Sequence, residues 1–148
     1  MMRVAVESNI LIYAELEPAS AKGKRSADVI LRAAHDGVIS AQVLGEFLRF
    51  VQRRAPAAFA EAIRQAHLYQ NVFLVPPTTD AILNKAAELA RVHHLQLWDC
   101  VVCAASAQAG AKALLTEDLQ DGRTIDGLRL VNPLAPANAR IVDELLPG

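Results

Sequence analysis

Cysteine is scarce, two in 148 residues, too few for a disulfide scaffold and suited to a reducing compartment. Aromatic side chains make up only 5% of the chain and never cluster into a stacking platform, so no base preference is legible. Charge of one sign is also missing. Fifteen Lys plus Arg against sixteen Asp plus Glu leave a net charge of -1, which excludes a broadly basic nucleic-acid coat and confines any such contact to a local patch. No window approaches about 18 uninterrupted apolar residues, and the first residues run into Glu7 without the apolar stretch of a leader. The expectation is a cytoplasmic protein with no membrane partner.

What is present is apolar residue in quantity, 53% of the chain against 21% charged. That suffices for one core without disulfide or structural metal, so a single domain over residues 1–148 is expected. Short apolar runs alternate with long Ala-rich stretches, the pattern of βα units around a mostly parallel sheet. Strands are expected at residues 3–6, 38–39, 72–75, 113–115 and more weakly 129–131. Helices are expected at 21–34, ending at Asp36-Gly37, and at 41–54, ending before Pro56. Pro56 opens another that turns Phe59, Ile63, Ala66 and Leu68 toward the core. Thr79 or Asp80 caps a helix running to about His93, residues 98–109 form one closed by Gly110, and residues 139–146 form a last amphipathic stretch. The predicted class is a three-layer α/β/α sandwich around four to five strands.

Ligands of open α/β sheets sit beyond the carboxyl ends of the parallel strands. Two expected strands end in acid there: Glu7 follows Val4-Ala5-Val6, and Glu117-Asp118 follow Leu114-Leu115-Thr116. Glu46, among Leu44, Phe47 and Leu48, and Asp99, behind Leu97-Trp98, each interrupt an apolar neighbourhood. Carboxylates gathered in one pocket repel each other and take up protons unless a cation lies among them. An all-oxygen set selects a hard ion, Mg²⁺ or Mn²⁺, and suits metal-assisted phosphodiester hydrolysis. Taken singly, Asp99 also reads as a helix cap, Glu46 as a partner of Arg49 or Arg53, and Asp118 with Asp121 as an ordinary loop.

Four segments together resemble the PIN domain family, and within it the VapC-type toxins: Val-Glu-Ser-Asn-Ile-Leu-Ile-Tyr at 6–13, Ile-Ser-Ala-Gln-Val-Leu-Gly-Glu-Phe at 39–47, Leu-Trp-Asp-Cys at 97–100, and Leu-Leu-Thr-Glu-Asp-Leu-Gln-Asp-Gly at 114–122. The resemblance extends through Ile125-Asp126-Gly127-Leu128 and Val131-Asn132-Pro133. It implies an α/β/α ribonuclease that cleaves RNA, tRNA or another structured RNA, with Mg²⁺ or Mn²⁺. It also implies a homodimer, inhibited by a cognate antitoxin. The family's acidic positions fall on Glu7, Glu46, Asp99 and Asp118, with Asp121 as a fifth and Ser8, Asn9 and Thr116 as polar supports. Asp118 rather than Glu117 matches the Thr-x-Asp spacing.

The family has Asp at the first acidic position, where this chain has Glu7. One extra methylene moves the carboxylate by about 1 Å, a displacement that can cost on the order of 10²-fold in rate. Two outcomes stay open: a weakened module that holds RNA or antitoxin without efficient cleavage, or a site that shifts and remains active.

Other signals compete less well. Cys100-Val101-Val102-Cys103 has redox spacing but sits in an Ala-rich helical stretch, where cysteine acts as a small buried hydrophobe. The adjacent His93 and His94 point apart on a helix and suit cap or surface roles. Lys22, Lys24 and Arg25, and separately Arg49, Arg53 and Arg54, can contact phosphates or lie on solvated faces. Tyr13, Leu16, the 21–31 stretch and the 44–50 face offer apolar surface to a dimer mate or antitoxin, with core packing as the alternative.

Overall fold

The structure, a computed structural model, describes residues 2–147, so Met1 and Gly148, the two ends of the expected 1–148 domain, lie outside the described residues. Strand β1 (Arg3–Val6) is followed by helices α1 (Ser8–Leu16), α2 (Ala21–Ala33), α3 (Ala41–Arg54), α4 (Phe59–Val72), α5 (Asp80–His93) and α6 (Leu97–Gln108). Then come β2 (Ala111–Leu115), β3 (Thr124–Ile125), β4 (Leu128–Val131) and α7 (Ala139–Leu145). The sheet order is β1-β2-β4-β3, with β1, β2 and β4 parallel and β3 antiparallel to β4. Helices flank this sheet, and among the described residues no helix is long and apolar enough to cross a membrane.

The expected strands at 38–39 and 72–75 contract to single parallel bridges, Ala5 to Val38 and Val38 to Leu74. They still extend the sheet beyond β1, because Val6 N donates to Val38 O at 3.0 Å and Ile39 N to Leu74 O at 3.0 Å. Val72 is instead the last residue of α4. Of the four residues expected to face inward from that helix, Ala66 is buried and Phe59 packs against the core, but the other two do not. Ala62, Ala66 and Tyr69 are buried, while Ile63 and Leu68 are exposed. Two elements were not expected at all, α1 and β3. The β3–β4 turn is Asp126-Gly127, both at positive φ (53° and 78°), a two-residue hairpin of the kind that Asp-Gly favours.

Helix α1 packs closely on α2, and the joint is tight at Gly23. A Cβ there would stand 1.7 Å from the carbonyl oxygen of Glu17, so only glycine fits. Gly23 N in turn donates to Ser20 Oγ at 2.9 Å, which caps α2.

The parallel register sets the site. Val6 pairs with Leu115, and Glu7 N donates to Leu115 O at 3.0 Å, so Glu7 and Thr116 leave the sheet side by side at its carboxyl rim.

Candidate metal-dependent active site

Glu7 caps α1: its Oε1 accepts from Ser8 N at 2.9 Å and Ser8 Oγ at 3.3 Å. The residue is only 4% exposed, and burial, aided by repulsion from Glu46 and Asp99, pushes its carboxyl up to about 7 despite the Ser8 bonds. Glu46 projects from the second turn of α3, beyond the Ser40 cap. Its Oε1 is buried without a hydrogen-bond partner, and burial together with Asp99 and Asp118 raises its carboxyl to about 7. The alternative pairing with Arg49 or Arg53 does not occur.

Asp99 lies in the first turn of α6 but is not its cap. Gln96 takes that role, accepting from Asp99 N at 3.1 Å, which leaves the Asp99 carboxylate free of capping. Burial and then Asp118 push its carboxyl above the ordinary value. Asp118 follows β2 on an exposed loop, its N donating to Thr116 Oγ1 at 3.2 Å. Asn9 ties the same loop to α1, donating through Nδ2 to Thr116 Oγ1 at 3.4 Å and accepting from Glu117 N at 3.3 Å. The expected supports Ser8, Asn9 and Thr116 therefore all touch the rim.

The mutual repulsions join Glu7, Glu46, Asp99 and Asp118 into one electrostatic group. Among the described residues none of the four is in an ion pair. Asp121 is engaged elsewhere: it accepts from Asn132 N at 2.9 Å and, on both oxygens, from Asn138 Nδ2 at 3.0 and 2.9 Å. Those bonds hold its carboxyl below the usual range. It clamps the loop to the segment before α7.

A groove of about 560 Å³ reaches two of the four acids, Glu46 and Asp118, and is lined also by Ser8, Asn9, Tyr13 and Phe50, with Arg49 and Arg53 among its walls; Glu7 and Asp99 do not line it. Arg54 instead lies over the Phe50 ring, 5.6 Å from its centroid. Among the described residues no three His, Cys, Asp or Glu side chains are already closed around a point that could hold a metal. The donor set nonetheless fits a hydrated hard cation. It is all oxygen, one buried oxygen is orphaned, and Mg²⁺ characteristically keeps several waters and takes only one or two carboxylates.

The rival signals resolve structurally. Cys100 and Cys103 are both buried and free, and burial pushes the Cys103 thiol up to about 12, far from a reactive thiolate. His93 ends α5, its carbonyl accepting from Arg123 at 3.1 Å, and His94 is the left-handed C-cap. Arg25 is tied to Pro133 O at 3.2 Å and Asp28 at 3.1 Å.

A family model described as PIN domain matches residues 4–123. No curated protein matches the sequence. Several solved structures share the fold. A Mycobacterium tuberculosis VapC20, described as a Sarcin-Ricin loop cleaving toxin, is 18% identical with a TM-score of 0.65, covering 78% of this chain and 89% of that one. A toxin-antitoxin complex from Klebsiella pneumoniae is 17% identical, TM-score 0.65, covering 88% and 97%. VapBC2 from Rickettsia felis, bound to a DNA fragment from its promoter, is 15% identical, TM-score 0.64, covering 87% and 97%.

Proposed function

The chain belongs to the PIN domain family, and from that premise we propose that it is a Mg²⁺- or Mn²⁺-dependent endoribonuclease, the toxin of a toxin–antitoxin pair, acting in the cytoplasm on tRNA or another structured RNA. One observation carries the reading. Glu7, Glu46, Asp99 and Asp118 come from separate stretches of chain, the first three are pushed toward the protonated form by burial and by the neighbouring acids, and among the described residues none of the four is in an ion pair. A group built this way costs stability unless something positive enters it.

In this reading Glu7, Asp99 and Asp118 hold the metal, and Asp121, held in its Asn132–Asn138 clamp, supports the loop that carries Asp118. When bound, the cation supplies positive charge to the phosphoryl group and eases deprotonation of the attacking water. Glu46, with its unpartnered buried oxygen and a carboxyl near 7, orients that water and accepts its proton. Arg49 and Arg53, on the groove wall, take flanking phosphates without reading bases; Arg54, stacked on Phe50, contributes least. An antitoxin and a second copy of the chain are the proposed protein partners. The exposed apolar side chains Leu31, Leu68 and Val72 offer surface for such contacts.

The test is cleavage of labelled structured RNA by the purified chain in Mn²⁺, Mg²⁺ or EDTA, with Asp99→Asn as the contamination control. Metal-dependent cleavage lost in Asp99→Asn supports the nuclease. Cleavage that survives either EDTA or Asp99→Asn overturns it. A second reading, a module that binds RNA or antitoxin without efficient cleavage, draws on Glu7, whose Oε1 is occupied in capping α1. RNA binding without cleavage in any metal favours that second reading.

A further inference from the structure

We propose that Tyr13, Lys22 and Glu117 form a latch that holds Asp118 at the mouth of the groove, acting as positioning residues for the cleavage proposed above, on which this inference rests. The latch joins three separate pieces of chain. The Tyr13 hydroxyl, on α1, donates to Glu117 Oε1. Lys22 Nζ, on α2, pairs with Glu117 Oε2 at 2.7 Å, lies 5.1 Å from the Tyr13 ring centroid and 3.5 Å from its hydroxyl. Each member thus contacts the other two, and both oxygens of Glu117 are occupied.

Glu117 is held by its main chain as well, through the bond from its N to Asn9 Oδ1 at 3.3 Å. The next residue is Asp118, whose own side chain makes no hydrogen bond among the described residues. An exposed carboxylate on a loop samples many positions, and fixing the preceding residue at both ends removes much of that freedom. The latch also sorts two adjacent acids. Both oxygens of Glu117 are engaged within the latch, whereas Asp118 lines the groove with Glu46.

The test compares Lys22→Met, Glu117→Gln and Tyr13→Phe with wild type and with Lys22→Arg, reading kcat, KM and Mn²⁺ affinity by calorimetry. Lys22→Met and Glu117→Gln are expected to lower kcat about tenfold with KM within about twofold and to weaken Mn²⁺ binding. Lys22→Arg, which keeps the ion pair, is expected to retain most of the activity. In an Asp118→Asn background the latch substitutions are expected to add no further loss, since they act through that carboxylate. Tyr13→Phe removes one hydroxyl and keeps the packing, so it reports even if a charge variant fails to fold.

Latch variants that cleave and bind Mn²⁺ like wild type overturn the latch alone, as does a loss equally large with and without Asp118. A wild-type chain that neither cleaves RNA nor binds Mn²⁺ overturns the functional reading and the latch with it.

Discussion

Two sets of carboxylates share one end of this molecule and meet opposite fates. Glu117 and Asp121 flank Asp118 on a single loop, and each is given partners: Lys22 and Tyr13 for the first, Asn132 and Asn138 for the second. Both are held below the ordinary acid range. Among the described residues Glu7, Glu46 and Asp99 receive no cation, and all are pushed up. Cations were available, since Arg49 and Arg53 line the same groove as Glu46. Stability accounts for the partnered set. The unpartnered set makes sense as a site kept open for a charge from outside.

The sharpest way to break this contrast is Glu46→Gln, which should move activity and stability in opposite directions. Cleavage is expected to fall by at least about 10²-fold, because on the proposed function Glu46 is the proton acceptor. The melting temperature of the metal-free protein is expected to rise by about 2–5 °C, because a repelled, unpaired charge is removed. A variant that is both inactive and less stable would place Glu46 among the structural acids. Glu7→Asp comes next. If the extra methylene weakens the site, shortening it raises cleavage about tenfold in a labelled-RNA assay. An unchanged rate would show that the Glu7 carboxylate already sits where it is needed.

Asp121→Asn probes the partnered set, and the expected cost is about 1–3 kcal/mol, read as a lower denaturation midpoint, because charge-assisted bonds to Asn132 and Asn138 weaken. The same contrast predicts a dependence on pH. Glu7 and Glu46 titrate near 7 in the folded chain against an ordinary 4.5, so across that interval the folded state holds protons the unfolded chain has released. Metal-free stability is therefore lost as pH rises from about 4.5 through 7, and the melting temperature should fall between pH 5 and pH 8. Mn²⁺ should raise it more at pH 8 than at pH 5. The reverse pattern would mean that the acids are already satisfied.

The strand ends were more legible than the helices around them. Acids that follow Val6 and Thr116 are visible in the sequence because a parallel sheet delivers its strand ends to one rim, and the structure does place Glu7 and Asp118 there. The bonds of Asp121 were not legible, since Asn138 is seventeen residues away and only the fold of the tail brings it back. Nor was the capping of α6 by Gln96 rather than Asp99, because glutamine is not among the residue types that usually cap a helix. Helix α1 escaped because Ile10 and Leu11 are buried beside the half-buried Ile12 and Tyr13, so it has no polar face to give it a period. The inward face of α4 was legible only in part: Phe59 and Ala66 meet the core as expected, whereas the large Ile63 and Leu68 are exposed and Ala62 and Tyr69 are buried instead. Strand β3 is two residues long, yet Asp126-Gly127 marked its turn.

The joint at Gly23 bears on how this gene tolerates change. Any codon substitution there that alters the amino acid adds at least one carbon, which would land within bonding distance of the Glu17 carbonyl oxygen and force α1 and α2 apart. Glu7 begins at the head of α1 and Lys22 precedes the glycine on α2, so prying the helices apart disturbs the groove from outside it. In a saturation scan scored by toxicity, position 23 would rank with the acidic residues as intolerant while taking no part in the chemistry. Gly45, exposed on α3 with open space where a side chain would go, would accept alanine freely.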